Sequence, residues 1–224
     1  MMPVRPALAF VVVCVAGAAA LADGPQRPGE RTFDADPPDA PPAGFTLAFM
    51  RQSEPGAWLV RRDGANGVLT HPAVPGSRGY SMAIADGEPM TDVVVTVRVR
   101  LGEGGQTAGI ISRYIDAGNF YMTLLDLADG QLRMYRVYEG NRNLIERREN
   151  LELDPSSWHT LKVVHRDERV FALLGGIPVF EDRRRVNRGF PAGRCGLAVT
   201  GDSGAWFDDF RIEPVRRDRG HQQP

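Results

Sequence analysis

The apolar residues of this chain recur at every second position. Val93, Val95, Val97, Val99 and Leu101 share one face of a strand, while Val94, Thr96, Arg98 and Arg100 share the other. This alternation of β-branched residues predicts a half-buried antiparallel strand. Phe120, Met122 and Leu124 alternate in the same way with Tyr121, Thr123 and Leu125. After the turn Ala128-Asp129-Gly130, Leu132–Val137 repeats the period. Trp158–Arg166 and Val170–Leu174 predict a hairpin across Asp167-Glu168-Arg169, and Gly175-Gly176 then turns the chain into Ile177–Phe180. Weaker strands fall at Phe45–Met50, Trp58–Arg61, Gly67–His71, Tyr80–Ile84, Gly109–Tyr114 and Leu144–Arg147. No segment sustains a 3.6-residue period, and Pro155-Ser156-Ser157 starts one helical turn at most. About a dozen short strands without helices predict an all-β sandwich or barrel.

The stretch Gly193–Ile212 reads as the closing hairpin of that sheet system. Arg194–Thr200 and Ala205–Ile212 are its strands, and Gly201-Asp202-Ser203-Gly204 is its turn. Because it comes late in the chain, its strands are expected to pair with strands made much earlier.

The ends of the chain differ from its middle. Arg5 precedes the apolar run Ala7–Leu21, whose 15 residues end in Ala20-Leu21-Ala22. Such a run is short of the ~20 residues that cross a bilayer and closes on an A-x-A cleavage pattern. Residues 1–22 therefore read as a signal peptide, with no stable membrane span and a secreted or periplasmic product. An uncleaved membrane anchor is the competing reading. Residues 23–43 hold six prolines and read as a Pro-rich linker. Residues 44–213 form the predicted folded domain, and 214–224 a loose polar tail.

Charge and cysteine content narrow the partners. The net charge of −1 lacks the strong positive field of a nucleic-acid-binding protein, so no nucleic acid is expected. Cys14 leaves with the signal peptide, so Cys195 cannot form an internal disulfide. It reads as a small buried apolar residue, or as a reactive or intermolecular thiol.

Three segments carry a family resemblance. Arg113-Tyr114-Ile115-Asp116-Ala117-Gly118-Asn119-Phe120-Tyr121 has the form R-Y-x-D-x-x-N-[YF]-Y. Trp158-His159-Thr160-Leu161-Lys162-Val163 is followed by a turn glycine and then Phe180-Glu181-Asp182. Last come Gly196-Leu197, Thr200-Gly201-Asp202-Ser203 and Phe207-Asp208-Asp209-Phe210. In this order they resemble the concanavalin A-like lectin/glucanase superfamily. More narrowly, they resemble laminin-G-like domains similar to the 3-keto-disaccharide hydrolase-like family. The resemblance covers residues 90–213. The family often has Lys where this chain has Gly201, and often an aromatic residue where it has Ala198. The resemblance implies a jelly-roll sandwich of two antiparallel sheets, whose concave face often binds sugars.

Catalytic signatures are incomplete. The glucanase motif E-x-D-x-x-E is approached at Glu152-Leu153-Asp154, but Ser157 stands where its third acid belongs. Asp126 with Asp129, and Glu146 with Glu149, are three apart and point to opposite faces of a regular strand. Asp208 and Asp209 are adjacent and face opposite ways by the same rule. A pair drawn from different strands, such as Asp116 with Asp202, stays open. His71, His159, His165 and His221 show no metal-ligand spacing. The resemblance does imply a possible structural calcium, held by Asp208 or Asp209; a solvated acid beside a turn cap is the alternative.

Binding is the leading expectation. Arg113, Asp116, Asn119, Tyr121, Tyr135, Trp158 and Asp202 mix flat rings with planar donors and acceptors, as sugar recognition requires. The rings can equally be core, and Asp116 and Asn119 can simply make a turn. The expected function is a secreted, non-catalytic carbohydrate-binding or adhesion module whose partner is a glycan or cell-envelope polysaccharide. The alternatives are a glycoside hydrolase related to the 3-keto-disaccharide hydrolases, and an envelope protein with a purely structural role.

Overall fold

The computed structural model describes residues 29–51, 57–104, 107–154, 156–180 and 189–215. The expected signal peptide, Pro155, the Glu181-Asp182 pair and the last nine residues lie outside them. The strands, in chain order, are β1 (Glu30–Arg31), β2 (Phe45–Met50), β3 (Leu59–Asp63), β4 (Asn66–His71) and β5 (Tyr80–Ala85). Next come β6 (Val93–Gly104), β7 (Thr107–Asp116), β8 (Asn119–Asp126), β9 (Gln131–Tyr138) and β10 (Asn141–Arg148). The last are β11 (His159–Arg166), β12 (Arg169–Leu174), β13 (Ile177–Phe180), β14 (Arg194–Thr200) and β15 (Ser203–Pro214). Among the described residues there is no helix.

Two antiparallel sheets stack face to face. One has the order β13-β12-β11-β6-β15-β4-β3, with β1 added against β15. The other has the order β10-β9-β8-β7-β14-β5-β2. Their facing sides form the main core. Val93, Val95, Val97 and Val99 are fully buried there, as the period of two requires. They meet Ala83, Ala108, Ile110 and Leu197 of the opposite sheet. Trp58 packs 5.6 Å from Phe207, and its indole N–H donates to Ser81 Oγ at 2.8 Å. That bond satisfies the one polar atom this large ring carries inward.

The stretch Gly193–Ile212 is not a hairpin. β14 lies between β7 and β5, whereas β15 lies in the other sheet between β6 and β4. The turn at Gly201-Asp202 carries the chain from one sheet to the other. Both strands sit inside their sheets, so late strands complete the sandwich from within.

The segment expected to be a linker is part of the fold from residue 29 onward. Phe33 is buried, with its ring 6.1 Å from Phe45, which in turn lies 5.8 Å from Phe210. Asp39 N donates to Val60 O at 2.8 Å, and Val60 N to Ala40 O at 2.9 Å. Glu30 and Arg31 pair with Arg211 and Phe210 on β15. A Cβ on Gly67 would lie 2.3 Å from Phe33 O, so only glycine lets the segment approach this closely. The segment follows the sheet edge through a series of turns, and one buried phenylalanine anchors it.

Candidate functional site

The outer side of the seven-stranded sheet carries a second apolar cluster. Met82, Ile84, Ile111, Met122, Leu124 and Ala198 form its floor and are buried. Tyr80, Tyr114, Phe120 and Tyr135 surround them. This face is concave. Arg142 on β10 donates to the hydroxyl of Tyr80 on β5, although four strands stand between them. In a flat sheet, strands five places apart would be about 24 Å apart, far beyond one arginine side chain. The sheet must therefore curl until its far sides approach. A second link does the same, since Arg51 Nη2 donates to Gly140 O of the β9–β10 turn at 3.1 Å.

Two arginine–tyrosine stacks lie over this face. The Arg142 guanidinium lies 4.7 Å from the Tyr135 ring and 5.8 Å from the Tyr80 ring. Arg194 lies 5.7 Å from Tyr114 and pairs with Asp86 at 3.9 Å. Planar guanidinium groups favour such ring faces.

The first stack borders a cleft of about 480 Å³. Met50 and Tyr80 form its buried floor, and Arg51, Arg78, Arg142 and Asp202 line its exposed rim. Its size lies within the ordinary range for a small-ligand site. Burial raises the Tyr80 phenol above its ordinary range, with Arg142 opposing. Tyr80 is thus neutral; its oxygen accepts from Arg142 while its O–H remains a donor. Asp202 Oδ1 accepts from Thr200 Oγ1 at 3.0 Å.

One wall is the loop between β4 and β5, held by the Gly201 turn. Val74 N donates to Gly201 O and Gly201 N donates to Gly79 O, both at 3.0 Å. A Cβ on Gly201 would lie 2.3 Å from Ser77 Oγ, so the loop occupies the space a larger residue would need.

The seven residues expected to bind ligand do not converge. Arg113 is buried and donates to Phe190 O, Thr91 O and Asp167 O at 2.8, 2.6 and 3.2 Å. It ties loops together instead of facing a groove. Tyr121 is buried between the sheets, 5.4 Å from both His165 and Phe190. Asp116 Oδ1 accepts from Gly118 N at 2.7 Å and Asn119 Nδ2 at 2.9 Å, and Asn119 Oδ1 accepts from Glu139 N at 3.2 Å. Those two residues shape the β7–β8 turn. Trp158 lies on the other sheet, 5.0 Å from Arg98 and 4.9 Å from Arg100, which also stacks on Trp206 at 4.4 Å. Tyr135 supports Arg142, and Asp202 alone of the seven lines the cleft. Sequence reasoning missed Tyr80, Arg142, Arg51 and Arg78, because no motif or spacing links them.

Asp208 and Asp209 lie on one side of their sheet, contrary to simple alternation. Asp209 has φ 49°, and β15 shifts register against β6 between Asp208 and Arg211. This bulge turns both acids toward Arg98, whose Nη1 lies 3.6 Å from Asp208 and 3.2 Å from Asp209. Asp208 Oδ2 also accepts from Asn66 Nδ2 at 2.9 Å, and its Oδ1 from Asp209 N at 2.7 Å. Burial raises the Asp208 carboxyl above its ordinary range, with hydrogen bonds from Asn66 and Asp209 N opposing. Three of the four carboxylate oxygens are thus engaged by an amide, a backbone N–H and a guanidinium. Among the described residues, no three His, Cys, Asp or Glu side chains cluster as metal ligands would.

Two further groups are chemically quiet. Asp154 lies in the loop before β11 and is held at about 2 by hydrogen bonds from Ser157 and Ser156. A carboxylate so low cannot serve as a general acid near neutral pH. Burial pushes the Cys195 thiol up to about 12, which leaves it unreactive.

Comparison with known proteins bears on the fold. No protein-family model matches the chain, and no curated protein matches its sequence. Among solved structures, it resembles a carbohydrate-binding module, CBM66, from Bacillus subtilis. That match has a TM-score of 0.61 at 19% identity, over 75% of this chain and 94% of that one. The fold is a concanavalin A-like jelly roll. A second Bacillus subtilis protein, of unknown function with a galectin-like fold, matches with a TM-score of 0.56 at 14% identity, over 76% of this chain and 90% of that one. The GH43 protein BlXynB from Bacillus licheniformis matches with a TM-score of 0.54 at 14% identity. Here the match covers 85% of this chain but only 40% of the other.

Proposed function

We propose that this chain is an exported, non-catalytic carbohydrate-binding protein whose ligand occupies the cleft between Tyr80, Arg142 and Asp202. The observation that carries the reading is the Arg142–Tyr80 link on the concave face. It fixes a flat, partly charged platform above an apolar floor and opposite a carboxylate. The stacked Arg142 guanidinium offers a flat exposed face to a pyranose ring, and the polar rim takes its hydroxyls. The likeness to a carbohydrate-binding module adds support at the level of the fold. Export is supported by the N-terminal apolar run and its A-x-A end.

Absence of catalysis is part of the proposal. A hydrolase of the 3-keto-disaccharide or glucanase kind needs two carboxyl groups flanking one bond. Among the described residues lining the cleft, Asp202 is the single carboxylate. A glycan array probed with the purified protein tests the reading. Selective retention on a subset of glycans, lost in Arg142→Ala, is expected. Uniform silence, or release of sugar from the array, would overturn it.

A further inference from the structure

We infer that the ligand of this cleft is a carboxylated polysaccharide, one built with uronic acid units, and not a neutral one. The inference rests on the carbohydrate-binding reading above and concerns the charge of the ligand. Three guanidinium groups, from Arg51, Arg78 and Arg142, line the cleft against the one carboxylate of Asp202. This local excess of positive charge sits on a chain whose net charge is −1.

Several arginines elsewhere on the surface are matched by acids. Arg61 pairs with Asp39, Arg100 with Asp63, Arg133 with Asp126, Arg147 with Glu149 and Arg211 with Glu30. The cleft arginines have no carboxylate partner among the described residues. Arg51 donates to a backbone carbonyl, Arg142 to a phenol, and Arg78 is exposed. Their charge is therefore available to a ligand.

Geometry selects a planar anion. Arg142 is held flat by the Tyr135 and Tyr80 rings. Its Nη1 is engaged by the Tyr80 hydroxyl, so the Nε–Nη2 edge is the side that matches a carboxylate with two parallel hydrogen bonds. Fixing the group beforehand also reduces the side-chain entropy lost on binding. The Tyr80 O–H remains for a hydroxyl of the same sugar.

Affinity electrophoresis and calorimetry with the full protein test this on defined probes. The charged panel is polygalacturonate, alginate and hyaluronan; the neutral panel is fully methyl-esterified polygalacturonate, xylan and dextran. We expect binding to at least one charged member and none to methyl-esterified polygalacturonate, whose sugar backbone is the same and whose carboxylates are capped as neutral methyl esters. Arg142→Gln and Arg78→Gln should each weaken that binding by about tenfold. Asp202→Asn should tighten it by about two- to fivefold, because it removes a like charge at the rim. The Arg78→Gln and Asp202→Asn changes lie on exposed side chains, so unchanged thermal melting separates binding from folding. Equal binding of esterified and free polygalacturonate, or weaker binding in Asp202→Asn, would overturn the charge inference while leaving a neutral-glycan site. Binding to the neutral panel alone would do the same. No binding to either panel would overturn both readings.

Discussion

Arg142 donates a hydrogen bond to the hydroxyl of Tyr80, with β9, β8, β7 and β14 lying between the strands that carry them. This bond and the Arg51–Gly140 bond fold the seven-stranded sheet over its own outer face. The consequence is a second hydrophobic cluster beneath a narrow cleft, in place of an open sugar-binding groove. The link should therefore matter for stability as well as binding. Tyr80→Phe keeps the ring and loses only the hydroxyl. It should cost about 1 kcal/mol, the usual net value of one such hydrogen bond. That corresponds to a fall in melting temperature of about 2–4 °C for a chain of this size. Thermal unfolding followed by circular dichroism measures it, and an unchanged melting point would mean that the link does not hold the sheet.

Phe33 makes the segment before residue 44 a structural part of the sandwich. Its ring is buried against Phe45, which also packs on Phe210. Phe33→Ala should destabilise by about 3–5 kcal/mol, the range for emptying an aromatic site in a core. Guanidinium denaturation of the two proteins would show this as a lower midpoint at similar slope. Equal midpoints would restore the segment to the status of a spacer.

The same comparison shows what the sequence could reveal. The alternation in Val93–Leu101 is legible because one face of that strand meets a core and the other meets water. Phe33 is a single large apolar residue among prolines and charges, so periodicity had nothing to act on. The turn at Gly201-Asp202 reads equally as a hairpin or as a crossing between sheets, because local sequence fixes the turn and not the partner. Asp208 and Asp209 defeat alternation through a bulge at a non-glycine residue with positive φ. The cleft was nearly invisible. Tyr80 and Arg142 are 62 residues apart and meet only because the sheet curls. Asp202 was visible because it follows a strand end within a recognisable pattern.

His71 should make the protein acid-sensitive. Its ring is buried against Trp58, Nδ1 faces Ser203 O at 3.4 Å, and Nε2 has no partner among the described residues. Burial lowers its pKa below 6.5, with the Ser203 and Pro72 carbonyls opposing. The unfolded chain therefore binds a proton that the folded one resists. Stability contributed by neutral His71 is full above about pH 6.5 and falls as pH drops toward the lowered folded value. Denaturation midpoints at pH 7.5 and 5.5 should show this loss, and His71→Phe should reduce it. An identical pH dependence in the two proteins would contradict the assignment.

The Asp208–Asp209 bulge should be indifferent to calcium. Arg98 and Asn66 already occupy the acids, so neither EDTA nor added calcium should move the melting temperature. Arg98→Ala should destabilise instead, by about 1–3 kcal/mol, because it leaves the buried Asp208 without its nearby positive charge. A calcium-dependent rise in melting temperature would show that the ion, and not Arg98, neutralises the site.

The proposed glycan site lies between Tyr80, Arg142 and Asp202. Amide chemical-shift mapping on the isotope-labelled protein, titrated with a glycan selected on the array, tests it most directly. The largest shifts should cluster on residues 77–80, 140–143 and 200–202, and should vanish in Arg142→Ala. Shifts confined to the opposite sheet around Trp158 and Trp206, or no shifts with any selected glycan, would contradict it.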